Sequence, residues 1–155
     1  MQYPIPRGFC SRFVRPGLLL LATVLAGCSQ SVFETSSGQK IHPDQLAGQW
    51  VLVNYWAQWC QPCLEEIPEL NRLDQNSDIV VLGVNFDGIQ GEELEQLADR
   101  MGIDFTLLAR DPGPEFGWDM PVGLPATFIL DPDGHLKEVR FGAQTEASVR
   151  ALIGD

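Results

Sequence analysis

In this chain of 155 residues, Cys60 and Cys63 are the side chains whose type and spacing point most directly to chemistry. They stand in Trp59-Cys60-Gln61-Pro62-Cys63, behind an apolar run from Trp50 to Trp56 and ahead of a segment that reads as a helix from about Pro62 to Leu73. Pro62 suits the first helical turn, where a missing N–H costs nothing, so the loop-to-helix junction falls on the cysteine pair. A thiol at that junction faces unpaired backbone N–H groups and the positive end of the helix dipole, which favour the thiolate. Cys60 is therefore expected to attack. Cys63 lies within the first turn and can return to Cys60 without backbone movement, which makes a reversible two-thiol switch. Two other uses of such a pair are a structural disulfide and half of a zinc site. A bridge that closes so short a loop restricts the unfolded chain very little. The remaining cysteines, Cys10 and Cys28, fall in the N-terminal segment, and the histidines are His42 and His135, which read as surface residues and are assigned no role.

The elements that must position the pair alternate between strand and helix. Trp50–Trp56 and Ile79–Asn85 are β-branched and aromatic runs without polar alternation, as expected of parallel strands covered on both faces. Leu94, Leu97, Ala98 and Met101 form one helical stripe, closed by Gly102 where a left-handed cap residue is expected. Phe105–Leu108 reads as a short strand, 111–125 as a loop, Ala126–Leu130 and Leu136–Phe141 as a hairpin around Asp131-Pro132-Asp133-Gly134. A last helix starts near Thr145 and buries Val149, Leu152 and Ile153. The order predicts an α/β three-layer sandwich. Trp56 is expected to fill the core beneath the cysteines and Trp59 to shield one side of Cys60, while Phe116 and Trp118 read equally as core or as exposed partner contacts.

The first residues read as an export signal. Arg7, Arg12 and Arg15 precede an apolar run from about Leu18 to Leu25, too short to span a bilayer. Leu25-Ala26-Gly27-Cys28 resembles the bacterial lipoprotein processing box, which implies cleavage after residue 27 and a lipid-anchored Cys28 as first mature residue. Residues 28–39 read as lipidated cysteine and flexible tether, with a reach of roughly 20 Å, and 40–155 as one domain. Residues 1–27 hold three Arg and no acidic residue, so the mature chain keeps seven Lys and Arg against 21 acidic residues, and the net charge moves from −11 to −14. That balance excludes a nucleic-acid partner.

WCQPC after a strand, Pro68 five residues beyond Cys63, Gly123-Leu124-Pro125-Ala126-Thr127, and the extra strand-helix segment between them resemble the thioredoxin superfamily. More narrowly, residues 40–155 are similar to the membrane-tethered TlpA/ResA type, related to the AhpC/TSA and redoxin groups. The resemblance implies a thioredoxin-like αβα sandwich with a central βα insertion, a cis Leu124–Pro125 bond beside the cysteines, and a kink at Pro68 in the first long helix. Where thioredoxin has a buried Asp, this chain has Asn54. The TlpA/ResA type instead carries a Glu at the position of Glu66, one helical turn beyond Cys63, where burial should raise its pKa toward neutrality and make it a base for the resolving thiol.

The resemblance further implies Cys60, Cys63 and Glu66 as catalytic residues. Trp59, Gln61, Pro62, Leu124 and Pro125 become substrate contacts, with no metal and no cofactor beyond the Cys60–Cys63 disulfide. The expected activity is reduction of disulfides in exported thiol proteins, apocytochrome c among them, with electrons from a transmembrane reductant of the DsbD/CcdA kind. Ser29 after the lipidated Cys28 favours the outer membrane of a two-membrane cell, facing the periplasm. Two rival readings are a peroxiredoxin-like peroxidase, whose Pro-xxx-Thr-xx-Cys pattern is missing, and a non-catalytic thioredoxin-fold binding lipoprotein, which would keep its activity after Cys60→Ser.

Overall fold

The computed structural model describes residues 32–76 and 78–154. The signal segment and Cys28 lie outside them. The element order is β1 (Phe33–Glu34), β2 (Lys40–Ile41), α1 (Pro43–Leu46), β3 (Trp50–Trp56), α2 (Gln61–Asp74), β4 (Ile79–Asn85), α3 (Gly91–Met101), β5 (Thr106–Leu107), α4 (Gly113–Phe116), β6 (Ala126–Leu130), β7 (Leu136–Phe141) and α5 (Glu146–Ile153).

Five strands form the central sheet in the order β5-β4-β3-β6-β7. β3, β4 and β5 run parallel, while β6 is antiparallel to both β3 and β7. β3 is the middle strand, and its alternating side chains divide the molecule. Leu52 and Trp56 face a core built with Ile67, Leu70 and Leu73 of α2, Leu94 and Leu97 of α3, and Val149 of α5. Val51, Val53 and Tyr55 face a second core with Phe33, Leu82, Phe128 and Leu130, capped by Phe116 and Trp118. The second outer layer is thus made of a β-ribbon, two four-residue helices and aromatic rings rather than long helices.

Both long predicted strands, the β6–β7 hairpin and the caps fall where the sequence puts them. Gly102 takes the left-handed conformation at φ 69° and closes α3, and Thr145 caps α5 by accepting the Ser148 N–H. Pro68 sits inside α2 without ending it. The predicted strand over 105–108 is shorter, Thr106–Leu107. Gly83 of β4 is needed for a close approach. A Cβ there would stand 2.5 Å from Leu107, 2.8 Å from Phe105 and 3.3 Å from the Trp56 indole nitrogen.

One expectation is corrected. The tether read over 28–39 is folded in its second half, because Phe33 pairs with Ile41 in the β1–β2 ribbon and stacks on Phe116 at 5.2 Å. Its ring is 6 % exposed, so the folded part begins before residue 40. The sequence hid this because the ring's partners lie some eighty residues away. Among the described residues no helix is long and apolar enough to cross a membrane.

Candidate active site

β3 ends at Trp56 and the chain turns over four residues into α2, whose N-cap is Cys60. The Cys60 sulfur accepts the Cys63 N–H at 3.3 Å, and the same N–H reaches the Cys60 carbonyl at 3.0 Å. One N–H of the first turn, that of Cys63, therefore reaches the Cys60 sulfur at the positive end of the helix, an arrangement that stabilises negative charge on it. Cys60 and Cys63 are joined by a disulfide, with their Cα atoms 5.3 Å apart. Cys60 keeps 5 % of its surface and Cys63 none, so an incoming sulfur meets Cys60 first.

One turn below, Glu66 is 1 % exposed. Its Oε1 accepts the Asn54 side-chain N–H at 2.8 Å, and its Oε2 accepts the backbone N–H of Gln144 at 2.7 Å. Asn54 donates again to Thr127 Oγ1 at 3.0 Å, its register partner on β6. Burial pushes the Glu66 carboxyl up to about 7, with the Gln144 and Asn54 donors acting against that rise. The expected elevation is present, and the carboxylate's direct partners are the two amides. A second retained proton sits across the sheet, where burial first and the Asp111 hydrogen bond second raise the Tyr55 hydroxyl far above its ordinary value.

The other predicted contacts gather around this pair. Trp59 is 65 % exposed and is held in place by its indole N–H, which donates to the Asp87 carboxylate at 3.0–3.1 Å, and by an edge contact with Phe86 at 6.4 Å. Gln61 and Pro62 are exposed on the first turn, with the Gln61 amide on Glu65 at 3.3 Å. The Leu124–Pro125 bond is cis, and Leu124 packs on the core that contains both cysteines. Pro125 is buried, and its carbonyl accepts the Gly142 N–H at 2.9 Å, which ties the end of β7 to the proline loop. Trp56 lies in the core at 1 % exposure. Phe116 and Trp118 turn out to be core-facing: they stack at 4.7 Å, Trp118 stacks on Phe128 at 4.6 Å, and its N–H donates to Tyr55.

Sequence reasoning missed the donors to Glu66. Asn54 was legible as a polar residue in an apolar strand, but Thr127 joins it only through strand register, and Gln144 contributes a backbone N–H that no side-chain pattern reports. Among the described residues one group has metal-ligand spacing, Asp131, Asp133 and His135, with ligand atoms within 4.8 Å of one another. Asp131 Oδ1 already accepts the N–H groups of Asp133 and His135, so this group closes the β6–β7 turn.

Residues 30–139 match the AhpC/TSA family. The thiol-disulfide oxidoreductase ResA of Geobacillus thermodenitrificans is 32 % identical over 123 residues, covering 77 % of this chain and 70 % of that one. The thiol:disulfide interchange protein HelX of Rhodobacter capsulatus is 40 % identical over 111 residues, covering 71 % of this chain and 62 % of its own. A thioredoxin family thiol:disulfide interchange protein of Chlorobium tepidum superposes with a TM-score of 0.67 at 22 % identity, covering 81 % and 91 % of the two chains, which supports the thioredoxin-like fold. Similarity to ResA across more than two thirds of both chains, together with the AhpC/TSA match, places this chain, with its own Cys60–Cys63 disulfide, among the thioredoxin-like thiol-disulfide oxidoreductases of the TlpA/ResA type.

Proposed function

We propose that the protein is a lipid-anchored reductase of the bacterial envelope, held through Cys28 and facing the periplasm, that opens disulfides in exported proteins. In the reduced enzyme the Cys60 thiolate attacks one sulfur of a partner disulfide. A bond forms between Cys60 and that sulfur, the partner's own S–S bond breaks, and its second sulfur leaves as a thiolate that takes a proton from water. Cys63, deprotonated by Glu66, then attacks Cys60, the mixed disulfide breaks, and the partner's first sulfur leaves with a proton. Two electrons have moved from the Cys60–Cys63 dithiol to the partner. A transmembrane thiol reductant of the DsbD/CcdA kind restores the dithiol by the same exchange in reverse, and no other cofactor takes part.

The observation that carries this reading is the asymmetry of the pair. Cys60 is the sulfur at the surface and at the helix N-cap, while Cys63 is fully enclosed within one turn of a carboxyl that titrates near neutrality. Trp59, Gln61, Pro62 and Leu124 are the surfaces that would guide a partner to Cys60, with the buried Pro125 holding the Leu124 backbone beside the pair. Insulin reduction tests the activity. Wild type should reduce insulin, Cys60→Ser should lose essentially all turnover, and Cys63→Ser should accumulate a mixed disulfide with the natural partner. Reduction as the working direction predicts a potential of about −250 mV against a glutathione buffer, and a value of about −120 mV would reverse it.

A further inference from the structure

Five large apolar side chains are more than one third exposed among the described residues: Trp59, Met120, Val122, Leu136 and Phe141. Four of them belong to segments that gather at the end of the sheet where β3 leads into the cysteine pair. Trp59 precedes Cys60, Met120 and Val122 lie on the approach to Leu124–Pro125, and Phe141 pairs with Ala126 at the end of β7, where Gly142 bonds the Pro125 carbonyl. Val122 is 99 % exposed and contributes nothing to the core. Leu136, the fifth, pairs with Leu130 at the opposite end of the sheet. An apolar rim of this kind, collected around a reactive group rather than scattered, marks a contact surface.

Charge on the same segments is one-sided. Residues 57–65, 86–90, 119–125 and 141–144 include Glu65, Asp87 and Asp119 and no Lys, Arg or His. The cation beside the rim, Arg140, is turned to Glu138 at 3.0 Å and to the Gln144 side chain. A second copy of this acidic chain is thereby repelled, and a cationic partner is drawn in.

Resting on the oxidoreductase reading above, we propose that Met120, Val122 and Phe141, with Trp59, form the docking rim for a cysteine-bearing protein segment that is apolar beside its cysteine and carries Lys or Arg just outside. The apolar flanks cover the rim, the cations meet Glu65, Asp87 and Asp119, and the partner's sulfur is left at Cys60. Specificity then resides in rim residues that take no part in the sulfur exchange.

The test is the rate at which the reduced protein is oxidised by disulfide-bridged peptides in stopped flow. One peptide has apolar flanks with Lys and Arg, a second the same flanks with Asp and Glu, a third Gly and Ser flanks. Oxidised glutathione, too small to span the rim, is the reference. The basic apolar peptide should react about tenfold faster than either of the others, and its advantage over the acidic one should shrink in 1 M salt. The combined Met120→Ser, Val122→Ser and Phe141→Ser variant should react about tenfold more slowly with that peptide, while its rate with oxidised glutathione changes less than twofold. Equal rates for the three peptides, a variant as fast as wild type, or a variant slowed equally with glutathione would overturn the docking rim. A wild-type dithiol that neither peptides nor glutathione oxidise would instead overturn the oxidoreductase reading itself.

Discussion

Asn54 and Tyr55 are neighbours on β3 that face opposite sides of the sheet, and each reaches a buried network containing an acid. On the α2 side Asn54 offers its amide to Glu66, which also accepts the Gln144 N–H. On the other side the Tyr55 hydroxyl donates to Asp111 at 2.5 Å and accepts from the Trp118 indole at 2.8 Å. The two surroundings have opposite consequences for protons. Amide donors partly offset the cost of burying the Glu66 carboxylate, so this group changes charge at about 7. Burial and the Asp111 carboxylate both hold the proton on Tyr55, which stays neutral at any pH the protein meets. The dithiol therefore has a titrating group under it, whereas the face that carries the 111–125 segment and Pro125 is held by a fixed network within the aromatic stack. One strand separates a site for chemistry from a scaffold for geometry.

The largest test of that division is on the scaffold. Phe128 is 5 % exposed, stacks on Trp118 at 4.6 Å and meets Tyr55 in a tilted contact at 5.3 Å. Phe128→Ala should cost about 3–5 kcal/mol in urea unfolding of the oxidised protein, and the Glu66 titration in the remaining folded molecules should not move. The next effect is on the chemical side. A carboxyl whose pKa is raised by folding, here from 4.5 to about 7, is still protonated in the folded chain when the unfolded chain has already released its proton. Stability is thus fully present below pH 4.5 and falls as pH rises through 7, by about 3 kcal/mol in all. Glu66→Gln should flatten that decline. Unfolding curves of wild type and variant that stay parallel from pH 4 to 8 would show that Glu66 is not the titrating group.

The same division explains what the sequence announces. β3, β4 and β6 are apolar or β-branched runs bounded by turn residues, β7 is the returning strand after the Asp131–Gly134 turn, and α3 and α5 carry a stripe and a cap, so each is legible from local order. α1 and α4 are too short for any period, and the β1–β2 ribbon exists because Phe33 finds Phe116 across the chain. In the site, Cys60 and Cys63 are legible through type and spacing, and Pro125 and Glu66 through the family resemblance. The surroundings of Glu66 are not, since they arise from the Asn54–Thr127 register and from one backbone N–H. The scaffold is the less legible side for the same reason: Phe33, Tyr55, Asp111, Phe116, Trp118 and Phe128 are joined by tertiary packing alone.

The smallest expected effect is the one that decides whether the two faces are independent. Tyr55→Phe keeps the ring in its place but removes the hydroxyl, leaving the Trp118 N–H without its acceptor and Asp111 Oδ1 with the Gly113 N–H at 2.9 Å. The loss should be about 1–3 kcal/mol of stability, the cost of one orphaned donor in a partly buried network. If β3 insulates its two sides, the pH dependence of stability and of disulfide exchange in Tyr55→Phe will superimpose on wild type. By contrast, Asn54→Ala removes a donor from the Glu66 carboxylate and should move both profiles to higher pH, because the charged form loses support while burial remains. A shift of the same sign in Tyr55→Phe would mean that slackening the aromatic face lets the strand move under Glu66, and the scaffold would then belong to the chemistry.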